Sequence, residues 1–132
     1  MSELPVRARL SIALLACNEA ANIRRTLESV VWADEIVLLD SGSTDATVAI
    51  AEELGARVIY EPWKGYGPQM NSAIDKCTSP WVFSLDADEV LTPELQAEIK
   101  QLLAGVPKLI KLPFDKALYA VATDKFGATV PP

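Results

Sequence analysis

The sequence predicts an α/β fold, a Rossmann-like parallel sheet with alternating helices. Three observations carry that expectation. Short apolar runs and segments of helical period alternate four times along the first hundred residues. The runs are apolar almost throughout rather than every second residue, the pattern of strands covered on both faces. Polar and acidic residues gather directly after three of the four runs, where an open parallel sheet binds its ligands.

The elements follow in order. Residues 10–16, Leu-Ser-Ile-Ala-Leu-Leu-Ala, predict a first buried strand. Asn18 is a good helix cap, and Ile23, Leu27, Val30 and Val31 recur at helical spacing, so a helix is expected over about 19–31. Ile36 to Leu39 predict a second strand. Ser43 or Thr44 then caps a helix carrying Val48, Ala51 and Leu54, which Gly55 stops. Arg57 to Tyr60 form a third strand. After Gly65, Gly67 and Pro68 comes a helix with Met70, Ala73, Ile74 and Cys77 on one face. Trp81 to Leu85 form a fourth strand. Thr92 caps the last helix, Pro93 takes its first position, and Leu95, Ile99, Leu102 and Leu103 line its apolar stripe.

Composition narrows the chemistry. The chain has 132 residues, half of them apolar, with a formal net charge of −6. That suits one globular domain with a real core. It does not suit nucleic-acid binding, which depends on Lys and Arg neutralising phosphates. There is no histidine, which removes Ser-His and Cys-His nucleophile pairs and histidine metal sites. Cys17 and Cys77 are far apart with no CxxC, so a reduced, cytoplasmic setting fits. A metal could be held only by oxygen ligands, which points to Mg²⁺ or Mn²⁺. The run after Arg7 and Arg9 is too short and ends too bulkily for a signal peptide, and no run reaches the length of a transmembrane segment. Composition also breaks near residue 104. Residues 1–103 hold 8 Lys/Arg against 16 Asp/Glu, a net of −8, whereas residues 104–132 hold 4 Lys against 2 Asp, a net of +2.

Three polar clusters project onto one sheet edge: Asn18-Glu19, Asp40 to Asp45, and Asp86-Ala87-Asp88-Glu89. Asp-x-Asp at a strand end is common in turns. Here, however, the following helix already has Thr92 as its cap, and three acids in four residues repel one another. A divalent cation would relieve that repulsion, usually with substrate phosphates completing its shell. The 40–45 loop reads either as a turn and helix cap or as a place where Asp40 accepts from a ligand hydroxyl or base edge. Neither a GxGxxG fingerprint nor a P-loop is present.

Taken together, four segments resemble the nucleotide-binding half of a family 2 glycosyltransferase of GT-A fold. They are Ser11 to Glu19, Ile36 to Thr47, Gly65 to Asn71, and Trp81 to Glu89. The Trp32-Ala33-Asp34-Glu35 lead-in, the LDSGSTD form and the GYGPQ segment look most like lipopolysaccharide core glucosyltransferases. The resemblance covers about residues 9–103, leaving 1–8 as an N-terminal extension and 104–132 as a tail without family likeness.

The resemblance implies inverting transfer of a sugar from a nucleotide-diphosphate donor, a UDP-sugar favoured, to a glycan or glycolipid acceptor. Asp88 and Asp86 would hold Mg²⁺ or Mn²⁺, with Asp86 also near the ribose or donor sugar. Asn18, Glu19, Asp40 and Ser41 would line the nucleoside pocket, with Ser41 standing where many relatives carry a base-reading Asp. Lys64, Gln69 and Asn71 fall near the donor. The family's general base, an Asp farther downstream, has no counterpart in context: Asp115 and Asp124 follow residue 98 without matching surroundings. The expectation is therefore a truncated or frame-altered enzyme, weakly active or inactive alone. It would be cytoplasmic, with contact at the inner face of the membrane where the acceptor is a glycolipid. A binding-only remnant and a nucleotidyltransferase-like domain are the alternatives. The latter normally shows a Gly-rich basic loop after the first strand, where this chain has Asn18-Glu19-Ala20.

Overall fold

A computed structural model describes residues 8–105. Its elements are β1 (Leu10–Ala16), α1 (Ile23–Glu28), β2 (Glu35–Asp40), α2 (Thr47–Glu53), β3 (Arg57–Tyr60), α3 (Tyr66–Asp75), β4 (Trp81–Asp86) and α4 (Pro93–Gly105). The four strands form one parallel sheet in the order β3-β2-β1-β4. β1 is central and is covered on both faces, so six of its seven residues are buried.

The order explains where the helices lie. The first two crossovers step outward from β1 to β2 to β3. The third returns past β2 and β1 to reach β4. Right-handed crossovers running in opposite directions must lie on opposite faces. Accordingly Ile23 and Leu27 of α1, Ala51 of α2, and Ile99 and Leu103 of α4 pack together with Phe83 and Leu38 on one face. Met70 and Ala73 of α3, with Cys77 just beyond its end, pack with Ala13, Val37, Leu39 and Val82 on the other. Burial pushes the Cys77 thiol up to about 12, so it acts as a small apolar core residue. Cutting the fully buried Phe83 to Ala costs about 3–5 kcal/mol in such a core.

Strands match the sequence reading to within a residue, but the first three helices do not: α3 begins at Tyr66, ahead of Gly67 and Pro68, and ends at Asp75, before Cys77. α1 is shorter than expected over 19–31, and its N-cap is Asn22, without a side-chain cap bond. Asn18 is not its cap. α2 begins at Thr47 rather than after Ser43 or Thr44, and Asp45 takes the Thr47 N–H at 2.9 Å. Thr92 caps α4 as expected, accepting from the Leu95 N–H at 3.1 Å. Gly55 ends α2 at φ +93°, the left-handed conformation glycine adopts freely. Leu102 lies at the margin of the α4 stripe, 37% exposed.

The 106–132 stretch, with Asp115 and Asp124, lies outside the described residues. No described helix is long and apolar enough to cross a membrane.

Candidate functional site

Strand order reverses between β1 and β4, and a crevice opens beyond their carboxyl ends, as the geometry of open α/β sheets dictates. The cleft has a volume of about 650 Å³. Its walls come from the end of β1 (Cys17, Glu19), the end of β2 (Ser41), the β3–α3 connection and α3 (Trp63, Tyr66, Gln69), and the end of β4 (Asp86, Asp88).

Five of the residues singled out in the sequence therefore meet in one cavity: Glu19, Ser41, Gln69, Asp86 and Asp88. Asn18, Asp40, Lys64 and Asn71 do not line it. Asn18 sits in the left-handed region at φ 55°, where Asn is tolerated better than most residues. Its Oδ1 accepts from the Thr44 N–H at 2.7 Å and the Asp45 N–H at 3.3 Å. The exchange is reciprocal. The N–H groups of Asn18, Glu19 and Ala20 donate to Ser43 Oγ at 2.8 Å, Thr47 Oγ1 at 2.8 Å and Asp45 Oδ2 at 3.1 Å. Each loop thus satisfies the other's backbone.

Asp40 is 4% exposed. Its carboxylate accepts from the Gly42 N–H at 3.0 Å, the Ser43 N–H at 2.8 Å and the Ser43 hydroxyl. This is an Asx turn, the bonding by which Asp stabilises a tight loop. Lys64 pairs with Glu61, which also receives Lys76 and Ser72. The Lys64 and Lys76 ammonium groups with Ser72 pull the Glu61 carboxyl down to about 2. Asn71 is exposed on α3.

The β4 end differs. Asp86 to Glu89 form a turn closed by the Glu89 N–H on the Asp86 carbonyl at 3.0 Å. Glu89 Oε1 accepts the Asp86 N–H at 3.0 Å, which commits that carboxylate to the turn. Partial burial, then the charges of Glu89 and Asp88, raise the Asp86 pKa above its ordinary value. No cluster of three or more His, Cys, Asp or Glu ligands is present among the described residues. Asp86 and Asp88 nevertheless present two hard oxygen donors to one cavity.

Cys17, Trp63 and Tyr66 line the cleft without having been singled out for a role. Trp63 and Tyr66 are 57% and 58% exposed, although large aromatic side chains usually bury most of their area. The signal was there in outline: Trp63 stands in a Pro- and Gly-rich loop after a strand, off any helical stripe.

An open parallel sheet with a carboxylate-bearing cleft at its switch point defines a Rossmann-like ligand-binding domain. The family follows from comparison. The sequence profile of Glycosyl transferase family 2 matches residues 11–111, and the chain belongs to that family. An uncharacterized glycosyltransferase of Rickettsia bellii is 47% identical over 106 residues, 80% of this chain and 36% of that protein. The lipopolysaccharide core biosynthesis glycosyltransferase LpsC of Rhizobium meliloti is 38% identical over 106 residues, 76% of this chain and 39% of LpsC. The chain thus spans between a third and two fifths of the length of these relatives. Glucosyl-3-phosphoglycerate synthase of Mycobacterium tuberculosis, solved with Mn²⁺, UDP and glucosyl-3-phosphoglycerate, superposes with a TM-score of 0.54 at 30% identity. That match covers 61% of this chain and 33% of the synthase. Residues 1–349 of S. aureus TarS, solved with UDP-GlcNAc, share the fold with a TM-score of 0.60 at 24% identity, over 69% of this chain and 30% of that one. The sheet is the Rossmann-like sheet of GT-A glycosyltransferases.

Proposed function

We propose that the chain forms the donor-binding portion of an inverting glycosyltransferase. The donor is a nucleotide-diphosphate sugar, UDP-linked in first place, taken with Mg²⁺ or Mn²⁺. The acceptor is a glycan or glycolipid in lipopolysaccharide or related synthesis, at the cytoplasmic side of the membrane. One observation carries the reading: Asp86 and Asp88 of the β4 turn line the same cleft as Glu19 and Ser41. The likeness to LpsC and to a synthase solved with UDP and Mn²⁺ supports it.

The residues present fit a divalent ion held through a substrate. Two carboxylates with phosphate oxygens and water make up a hard oxygen shell, the usual Mg²⁺ arrangement. Bound there, the ion supplies neutralisation of the charge that develops on the diphosphate leaving group. The protein's own part is to hold Asp86 and Asp88 on a hydrogen-bonded turn and to enclose the donor between Glu19, Ser41 and the two aromatic side chains. Among the described residues, Glu19, Asp86 and Asp88 are the carboxylates lining the cleft.

Titration of UDP with and without Mn²⁺ into the wild type and Asp88→Ala tests the reading. Mn²⁺ is expected to raise wild-type affinity by at least about tenfold, since phosphates and carboxylates share the shell. That gain should vanish in Asp88→Ala, and UDP with Mn²⁺ should slow alkylation of the exposed Cys17 in the wild type. Equal affinity in all four arms overturns it.

A further inference from the structure

The turn that carries Asp86 and Asp88 is tied to α1 by two buried hydroxyls. Thr26 is 0% exposed and lies with Ile23 and Leu27 on the buried face of that helix. Packing alone does not call for a hydroxyl there, since Val has nearly the same shape and no polar atom to satisfy. A helical Thr commonly bonds back to the carbonyl three or four residues earlier. Thr26 Oγ1 instead donates to the Ala87 carbonyl at 2.8 Å, across 61 positions. That carbonyl belongs to the planar peptide joining Ala87 to Asp88, so the bond fixes the backbone from which Asp88 departs.

Ser29 makes the companion tie. Its Oγ donates to the Thr26 carbonyl at 2.6 Å and accepts the Leu91 N–H at 3.1 Å, across 62 positions. Ser29, Ala87 and Leu91 are buried as well. The turn's own bonds, between Asp86 and Glu89, close its shape without attaching it to the rest of the fold. Asp86 and Asp88 oppose each other's charge, so a loose turn would relax by moving them apart. Pinning the carbonyl between them resists that motion.

We propose that Thr26, assisted by Ser29, is a positioning residue for the divalent cation, holding the Ala87–Asp88 peptide so that Asp86 and Asp88 meet one ion. This rests on the metal-dependent donor reading of the cleft. Neither hydroxyl lines the cleft. Both act through the turn, by reducing the reorganisation it undergoes when the ion binds.

The test measures UDP affinity with Mn²⁺ and with EDTA on the full chain, for the wild type, Thr26→Val and Thr26→Ser. Thr26→Val keeps the volume and deletes the bond, whereas Thr26→Ser keeps the bond and deletes a methyl group. Thr26→Val is expected to weaken UDP binding by about tenfold with Mn²⁺ and to leave it unchanged in EDTA. Thr26→Ser is expected to stay within about threefold of the wild type with Mn²⁺, even where its urea midpoint falls below that of Thr26→Val. Should Thr26→Val not fold, as judged by its circular dichroism, Ser29→Ala releases the Leu91 end of the same span and is read in the same way. A folded Thr26→Val that keeps the full Mn²⁺ gain overturns this inference alone. So does an equal loss with Mn²⁺ and with EDTA, or a Thr26→Ser that loses as much as Thr26→Val. A wild type whose UDP affinity ignores Mn²⁺ overturns the metal reading and this inference with it.

Discussion

At the carboxyl ends of β1 and β2, polar side chains satisfy one another. Asn18, Asp40, Ser43, Asp45 and Thr47 take up or supply the backbone hydrogen bonds of two loops. Elsewhere on the cleft wall, Asp86 and Asp88 oppose each other's charge at the end of β4, and on α3 Gln69 keeps an oxygen without a hydrogen-bond partner. Both regions are rich in Asp, and both stand at strand ends. Residue type therefore does not separate scaffold from site. What separates them is how much of each side chain's bonding capacity the protein has already used. The first region is a finished platform, and the second keeps bonding capacity that the protein has not used.

A paired substitution puts that contrast at risk most severely. Asp40→Ala leaves two N–H groups and a hydroxyl without their acceptor, at a cost of about 2–3 kcal/mol. Asp86→Ala removes a charge that its neighbours oppose and should leave stability within about 0.5 kcal/mol while abolishing Mn²⁺-dependent UDP binding. Urea midpoints at unchanged m-values measure both. The reverse pattern, a harmless Asp40→Ala and an unfolding Asp86→Ala, would show that scaffold and site have been exchanged.

A smaller effect sharpens the account of the platform. Asn18→Ala loses the bonds to Thr44 and Asp45 and places a Cβ-bearing residue without a polar tip at φ 55°, for about 1–2 kcal/mol. Asn18→Gly keeps the conformation and should recover roughly half of that loss. If the two variants unfold at the same urea concentration, backbone conformation contributes nothing and the hydrogen bonds carry the whole effect.

The same contrast marks how far sequence reasoning reaches. The strands were legible because buried parallel strands are continuous apolar runs with abrupt polar ends, as in Leu10 to Ala16 before Cys17-Asn18. The starts of α1 and α2 were not, because their loops are bonded to each other across 25 to 28 positions, beyond any local window. Asn18 looks like a helix cap in its own neighbourhood and instead serves the loop that precedes α2. The acids Asp86 and Asp88 could be picked out by their crowding. That Asp40, with the same position at a strand end, folds back on Gly42 and Ser43 is decided by the conformation of the chain between them, with Gly42 at φ +126°. Trp63 carried no periodic signal, since a loop residue's exposure depends on what the tertiary fold leaves uncovered; Tyr66 opens α3 in register with Met70 and is nevertheless exposed.

The return of the chain from β3 to β4 also has a kinetic side. Ser11 sits opposite Glu35 on one flank and Val82 on the other, so the two pairings close loops of about 24 and about 71 residues. Loop-closure entropy makes the second about 1 kcal/mol harder to form. β4 is then expected to dock last, and the acidic half of the cleft does not exist until it does. A ligand reaching from Ser41 to Asp88 acts as a clasp on the final step. Its stabilisation should emerge as slower unfolding, with the refolding rate almost unchanged. Stopped-flow chevrons with and without UDP and Mn²⁺ would show this, and acceleration of refolding by the full stabilisation would mean that the cleft is assembled early.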